Sequence, residues 1–217
     1  MKILFVYFCK LITIPLANFL TKKIEGRENI LLNSSFIVAS NHLNGLDYWF
    51  IGNALKKRVK DMRFVAALES FKIFLMSGLL YYVADVIVIN RKKQGRKEII
   101  KKIVKKLRSQ DIIILFPEGD INDKKELLKG KTGVAELALK TGIPVIPFGI
   151  RKEENYFKRV IKIGKPLYFL EERKLLRKIE DNQEEYNLLL RKVTDKIMIE
   201  ISYLCGKPYN FVNCKYS

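Results

Sequence analysis

The chain has 217 residues, enough for one well-packed domain and short for two. Its 48% hydrophobic and 29% charged residues describe an ordinary globular protein and exclude both long disorder and a multi-span membrane protein. The 41 Lys and Arg against 23 Asp and Glu leave a formal charge of +18, which calls for a polyanionic partner, either nucleic acid or anionic lipid, although an AT-rich coding sequence accounts for part of the lysine excess.

The first twenty residues, MKILFVYFCKLITIPLANFL, are mostly apolar but carry Lys10 midway and Pro15 near the end. A spanning helix needs about 20 predominantly apolar residues, so this is a poor transmembrane segment, and it lacks an A-x-A-like cleavage site. Two readings fit: a helix lying in the lipid interface, or a helix packed on the protein's own core. The expected layout is an amphipathic, membrane-associating helix over 1–22 and a single domain over 23–217. Beyond the helix, short β-like runs alternate with helical stretches, the pattern of an α/β fold with a mainly parallel central sheet flanked by helices. Strands are expected at Ser35–Ser40, Met62–Ala67, Asp85–Ile89, Ile112–Phe116, Ile143–Ile150 and Val160–Ile163, most of them continuous apolar runs that imply burial on both faces. Helices are expected near Leu46–Lys56, Phe71–Tyr81, Gln94–Arg108, Gly130–Thr141 and Asn182–Leu204.

The Gln94–Arg108 stretch sets Ile99, Ile100, Ile103, Val104 and Leu107 against seven Lys and Arg, a basic amphipathic helix. Its basic side is either a solvated outer face or a contact for anionic headgroups. It contains no aromatic residue on which a base could stack, which argues against nucleic acid. Cys9, Cys205 and Cys214 have no metal-ligand spacing and read as reduced cytosolic thiols. One histidine and no clustered cysteines make no metal site, so neither metal nor cofactor is expected.

His42 is the sole histidine and directly follows a buried-strand pattern in SFIVASNHLNGLD. An imidazole takes a proton from an alcohol near neutral pH at modest cost if a partner fixes its tautomer. Asp47 is that partner, provided His42 sits in the strand-to-helix loop and Asp47 in the first helical turn; Asn44 and Gly45 suit such a loop. A second segment, IIILFPEGD over Ile112–Asp120, reads as a buried strand stopped by Pro117 with Glu118 and Gly119 beyond it. A carboxylate at a strand's carboxyl end is where open α/β sheets bind ligands.

Together these segments resemble the glycerophospholipid acyltransferases, and within them the lysophosphatidic acid acyltransferase family, over most of the chain. The first motif of that family, Asn-His-x-x-x-x-Asp, is similar to Asn41-His42-Leu43-Asn44-Gly45-Leu46-Asp47. The second resembles Val86-Ile87-Val88-Ile89-Asn90-Arg91; the third, Phe-Pro-Glu-Gly, is intact at Phe116-Pro117-Glu118-Gly119; the basic-Gly turn after it looks like Lys129-Gly130; and the fourth is Val145-Ile146-Pro147. The lead-in Gly26-Arg27-Glu28-Asn29-Ile30 is similar as well. Four motifs in order and at the right spacing make the match specific.

The resemblance implies an O-acyltransferase that moves a fatty acyl group from acyl carrier protein or coenzyme A thioester, used as co-substrate, to the hydroxyl of lysophosphatidic acid. His42 would be the general base and Asp47 its orienting partner, with backbone N–H groups of the active-site loops as oxyanion donors. Arg91, Glu118, Gly119 and Lys129 would serve substrate binding, Glu118 either at the glycerol or by ordering the site. Arg91 has a plainer alternative as the start of the surface run Arg91-Lys92-Lys93. Asn41, Phe116, Pro117 and Pro147 would support the motifs. The implied location is the cytoplasmic face of the cell membrane, peripheral or monotopic, with anionic lipid as the partner surface. Two departures matter: Asp120 and Ile121 stand where many members carry Thr or Ser and then Arg, and Asp85 replaces the glycine that often opens the second motif. A carboxylate near a phosphate is unfavourable, which points to a different lysolipid or alcohol as acceptor; the runner-up acceptors to lysophosphatidic acid are glycerol-3-phosphate or another lysophospholipid.

Overall fold

A computed structural model describes residues 15–67, 85–89, 95–107, 110–153, 158–179 and 182–211. The strands are β1 (Thr21–Glu25), β2 (Phe36–Ser40), β3 (Met62–Ala67), β4 (Asp85–Ile89), β5 (Ile112–Leu115), β6 (Val145–Lys152) and β7 (Arg159–Ile163). The helices are α1 (Asp47–Leu55), α2 (Arg96–Leu107), α3 (Gly133–Thr141), α4 (Leu170–Lys178) and α5 (Gln183–Cys205). Residues 15–20 are also helical and give way at Thr21 to β1. The expected helix at Phe71–Tyr81 lies outside the described residues, as do Cys9 and Cys214.

The strands form one sheet in the order β1-β7-β6-β2-β5-β3-β4. From β4 to β6 all neighbours are parallel, whereas β7 is antiparallel to β6 and β1 runs parallel to β7. The sheet is therefore mixed. Only six residues separate β6 from β7, too few for the crossover helix that a parallel pairing would need.

Alternation along the apolar strands explains why helices cover both faces. Ile37 and Ala39 of β2 and Ile113 of β5 join the cluster under α3 and α5, while Phe36, Val38, Ile112 and Ile114 join Phe50, Ile51 and Leu55 of α1 on the other face. In α2, Ile100 and Ile103 are buried and Ile99 and Val104 pack beside them, with Lys101, Lys102 and Lys105 exposed. Its apolar stripe is thus a core face, and Lys101, Lys102 and Lys105 stand on the exposed side. Gly149 in β6 lets α5 come close, since a Cβ there would collide with the backbone of Leu204 and Cys205. The long α5 is capped by Asn182, whose side chain accepts from the N–H groups of Glu184 and Glu185, and ends at Gly206 in the left-handed region (φ 73°).

Two elements carry no sequence signal strong enough to expect them. Strand β1 reads Thr-Lys-Lys-Ile-Glu, an edge strand without an apolar run, and α4 reads Leu-Glu-Glu-Arg-Lys-Leu-Leu-Arg-Lys with Leu176 as its sole buried residue. Among the described residues no helix is long and apolar enough to cross a membrane.

Candidate active site

The carboxyl ends of three adjacent strands, β6, β2 and β5, meet at His42. Strand β2 ends at Ser40, and the buried Asn41 side chain then exchanges two hydrogen bonds with the backbone of Ile150 in β6: Nδ2 donates to the carbonyl at 2.9 Å and Oδ1 accepts from the N–H at 2.8 Å. This seal aims the chain out of the sheet at residue 42. The loop from Leu43 to Leu46 then winds about the carboxylate of Asp47, the first residue of α1. Oδ2 accepts from the N–H groups of Leu43 (2.6 Å) and Asn44 (2.9 Å), while Asn44 Oδ1 accepts from the N–H of Leu46 at 2.9 Å. The same Oδ2 lies 2.8 Å from His42 Nδ1.

Asp47 is fully buried at a helix N-terminus, where backbone N–H groups and the helix dipole favour negative charge. A carboxylate only accepts, so the contact places the imidazole proton on Nδ1 and leaves Nε2 as the nitrogen able to take a proton. The ring is held flat against Phe116, with centroids 4.0 Å apart and planes 13° from parallel, and edge-on to Tyr48 at 5.9 Å. Its side chain keeps 12% of its surface open. The Tyr48 phenol is pushed up to about 12, first by burial and second by the Asp47 carboxylate beside it.

The Phe-Pro-Glu-Gly turn stands at the end of β5. Glu118, 3% exposed, accepts on Oε1 from the His42 N–H (3.2 Å), and on Oε2 from Asn122 Nδ2 (2.6 Å) and the Leu128 N–H (2.9 Å). Of the two roles open to Glu118, this geometry supports ordering the site, because internal donors take three of its roughly four lone-pair positions. Gly119 has φ 73°, which favours glycine, and the Lys131 side chain lies against it where a Cβ would stand. Lys131 Nζ is 3.4 Å from the Gly119 carbonyl, and its N–H donates to Pro117 O at 2.7 Å. Lys129 is exposed, with Gly130 beside it tucked against Met198 and its carbonyl held by Arg191 Nη1 at 2.6 Å. Arg91 lies outside the described residues. Pro147 is buried in β6 opposite Ala39, and its carbonyl accepts from the Gly164 N–H at 2.8 Å. Among the described residues there is no group of three or more His, Cys, Asp or Glu that could hold a metal ion.

Three contributors carried no sequence signal. Tyr48 follows Asp47 directly and could have been suspected on adjacency. Lys131 and Asn122 depend on how the loop after Gly119 folds back, which no local pattern announces.

The strand ends of this α/β sheet present a partly open His42, paired with the buried Asp47, beside a Pro-Glu-Gly turn. The Acyltransferase family model matches residues 22–151, more than half of the chain, and the chain belongs to that family. It is 24% identical over 139 residues to mouse 1-acyl-sn-glycerol-3-phosphate acyltransferase alpha, covering 63% of this chain and 47% of that protein. It is 28% identical over 136 residues to the 1-acyl-sn-glycerol-3-phosphate acyltransferase of Borreliella burgdorferi, covering 62% and 52%. With that of Limnanthes douglasii it shares 30% over 131 residues, covering 58% and 43%. The chain thus spans about half the length of the curated relatives it matches. The fold is similar to the crystal structure of the 1-acyl-sn-glycerophosphate (LPA) acyltransferase, PlsC, from Thermotoga maritima, with a TM-score of 0.59, 21% identity, and coverage of 93% of this chain and 81% of that one.

Proposed function

We propose that this chain transfers a fatty acyl group from an acyl thioester, carried by coenzyme A or acyl carrier protein, to the free hydroxyl of lysophosphatidic acid, giving phosphatidic acid. The observation that carries the reading is the 2.8 Å contact between His42 Nδ1 and the buried Asp47 carboxylate, which leaves Nε2 as the base. The printed names of the relatives support the choice of acceptor.

The step follows from that geometry. Nε2 of His42 takes the proton as the acceptor oxygen attacks the thioester carbonyl, and Asp47 stabilises the imidazolium that forms. The tetrahedral intermediate collapses with a C–O bond formed and the C–S bond broken, and the departing thiolate recovers the proton from His42. Because the acceptor itself is the nucleophile, no acyl-enzyme is needed, and holding both substrates together supplies much of the rate. Lys131, beside Gly119, joins Arg91 and Lys129 as a cation for the acceptor phosphate. The lysine face of α2 and the formal charge of +18 support peripheral attachment to an anionic membrane on its cytoplasmic face.

The exposed Asp120, next to Gly119, opposes a phosphate at short range and so favours a different lysolipid as a second acceptor; glycerol-3-phosphate, which carries the same phosphate, is the other alternative. Both readings are tested by purified protein with labelled acyl thioesters and a panel of acceptors, run beside His42→Ala. Transfer to lysophosphatidic acid should exceed transfer to the others and fall by at least about 100-fold in the variant, the lower range for loss of a general base. Transfer to no phosphorylated acceptor, or a fully active His42→Ala protein, refutes the proposal.

A further inference from the structure

The loop from Asp120 to Thr132 has no regular secondary structure, yet it encloses the backbone of His42. Asn122, 3% exposed, is its centre. Its N–H donates to the His42 carbonyl at 2.7 Å, and Nδ2 donates to Glu118 Oε2 at 2.6 Å and to the Glu126 carbonyl at 2.8 Å. Its Oδ1 accepts from the Lys124 N–H at 3.1 Å, which closes the turn, and its carbonyl accepts from Lys207 Nζ at 2.9 Å. Since Glu118, just before this loop, also holds the His42 N–H, both polar groups of the His42 peptide backbone are gripped from the stretch Glu118 to Asn122.

The loop is fastened in turn by the residues that follow α5. The Leu127 N–H donates to Pro208 O at 3.0 Å, Asn210 Nδ2 donates to Glu126 Oε2 at 2.9 Å, and the Lys207 carbonyl is held by Ser202 Oγ at 2.6 Å. Asp47 fixes the imidazole relative to α1 but says nothing of where it stands relative to β5, beside which the acceptor is expected. The Phe116 ring stacked on the imidazole and the Glu118–Asn122 clamp span that gap, and of these two the clamp supplies the hydrogen bonds. Both side chains are buried, so water cannot replace a lost bond.

We propose that Asn122 is a positioning residue for His42, and that residues 207–210 form a strap which keeps Asn122 in place. This rests on the acyltransferase reading of the same site. Asn122→Ala retains the backbone N–H to His42 and removes the side-chain bonds to Glu118, Glu126 and Lys124. Asn122→Asp is the sharper variant, because it keeps the shape and the acceptor to Lys124 while setting a second carboxylate against Glu118. Two carboxylates at that range cannot both ionise, so one proton is shared at low pH and repulsion opens the clamp as pH rises. Lys207 and Cys205 interact with the Glu118 carboxylate, Asp123 and Lys152 act on Lys207, and the His42 backbone lies on the other side. A falling rate at rising pH, relative to wild type, is a signature that a packing role does not produce.

The experiment uses the full chain with palmitoyl-CoA and lysophosphatidic acid, measuring kcat and both KM values for Asn122→Ala, Asn122→Asp and Lys207→Met, with thermal unfolding as the folding control. Asn122→Ala should lower kcat by about 10- to 100-fold with KM within about threefold, the cost of misplacing reacting groups by up to ~1 Å. Asn122→Asp should recover rate as pH is lowered, and Lys207→Met should lose about threefold to tenfold by the same route. A folded Asn122→Ala with kcat within about twofold of wild type overturns the proposal, as does a change confined to KM. If Asn122→Ala fails to fold, a pH profile of Asn122→Asp parallel to that of wild type overturns it, and if neither folds, an unchanged kcat in Lys207→Met does so. Absence of transfer by the wild-type chain itself strikes the functional reading, and this inference falls with it.

Discussion

Replacing Asp47 by Asn keeps size and shape and removes only the charge, so its cost can be worked from the contacts. Oδ2 accepts from His42 Nδ1, the Leu43 N–H and the Asn44 N–H, whereas Oδ1 is buried without a hydrogen-bond partner. An amide fits this slot in two orientations. With its oxygen in the Oδ2 position all three bonds survive as neutral contacts; bonds to charged groups contribute about 1.5–3 kcal/mol against about 0.5–1.5 kcal/mol for neutral ones. The imidazolium also loses its counter-charge at 2.8 Å, an attraction of several kcal/mol at an effective dielectric near 20 before desolvation is subtracted. With the NH2 group there instead, it opposes two backbone donors and forces the His42 proton onto Nε2, the wrong nitrogen for a base. In a hydrolase triad that error costs about 10⁴ in rate. The expectation for Asp47→Asn is therefore a kcat lowered by roughly 10²- to 10⁴-fold, with KM for both substrates within about threefold because the carboxylate meets neither. One buried NH2 without an acceptor costs about 1–3 kcal/mol, so Tm should fall by only several degrees. The assay is transfer from a labelled acyl thioester to lysophosphatidic acid in mixed micelles, well below the Tm of the variant. A folded Asp47→Asn protein with kcat within about threefold of wild type would refute the assignment of Asp47 as orienter and counter-charge.

Asn41→Ala removes both bonds to Ile150 and leaves a buried N–H and carbonyl unpaired, which should destabilise the fold by about 2–4 kcal/mol in urea titrations. Lys131→Ala should raise KM for the acceptor about threefold to tenfold and leave kcat nearly unchanged, with the difference shrinking in high salt; a kcat-only effect would remove Lys131 from acceptor binding. The raised phenol of Tyr48 gives a pH prediction with a definite sign. The unfolded chain releases that proton near pH 10 and the folded one holds it to about pH 12, so the unfolded state binds fewer protons and stability declines across this window. The loss should be roughly 2–3 kcal/mol, and denaturation curves of Tyr48→Phe should lack this component; identical slopes in the two proteins would show that the phenol ionises freely.

Much of the architecture was legible in the chain because its signals are local. Strands β2 and β5 are unbroken apolar runs, which only burial on both faces can satisfy, and His42, Asn44 and Asp47 lie within six residues of each other, so one loop and one helical turn suffice to bring imidazole and carboxylate together. The edge strand β1 and the charged helix α4 were not legible, since neither buries enough apolar surface to leave a pattern. The reversal at β7, which makes the sheet mixed, follows from the length of a connection more than from the strand's own residues. The Lys129-Gly130 pattern looks like a binding turn, yet the ammonium that lies against Gly119 belongs to Lys131.

By itself, then, the sequence determined the class of fold and the meeting of His42 with Asp47, because both depend on residues near one another in the chain. Tertiary structure alone decided the contacts that Glu118 and Asn122 make. Their partners arrive from just beyond β2 and from the tail beyond α5, at sequence separations of 76 for His42 and Glu118 and 85 for Asn122 and Lys207. No periodicity or spacing encodes contacts at such separations, since they exist only once the sheet has brought the strand ends together.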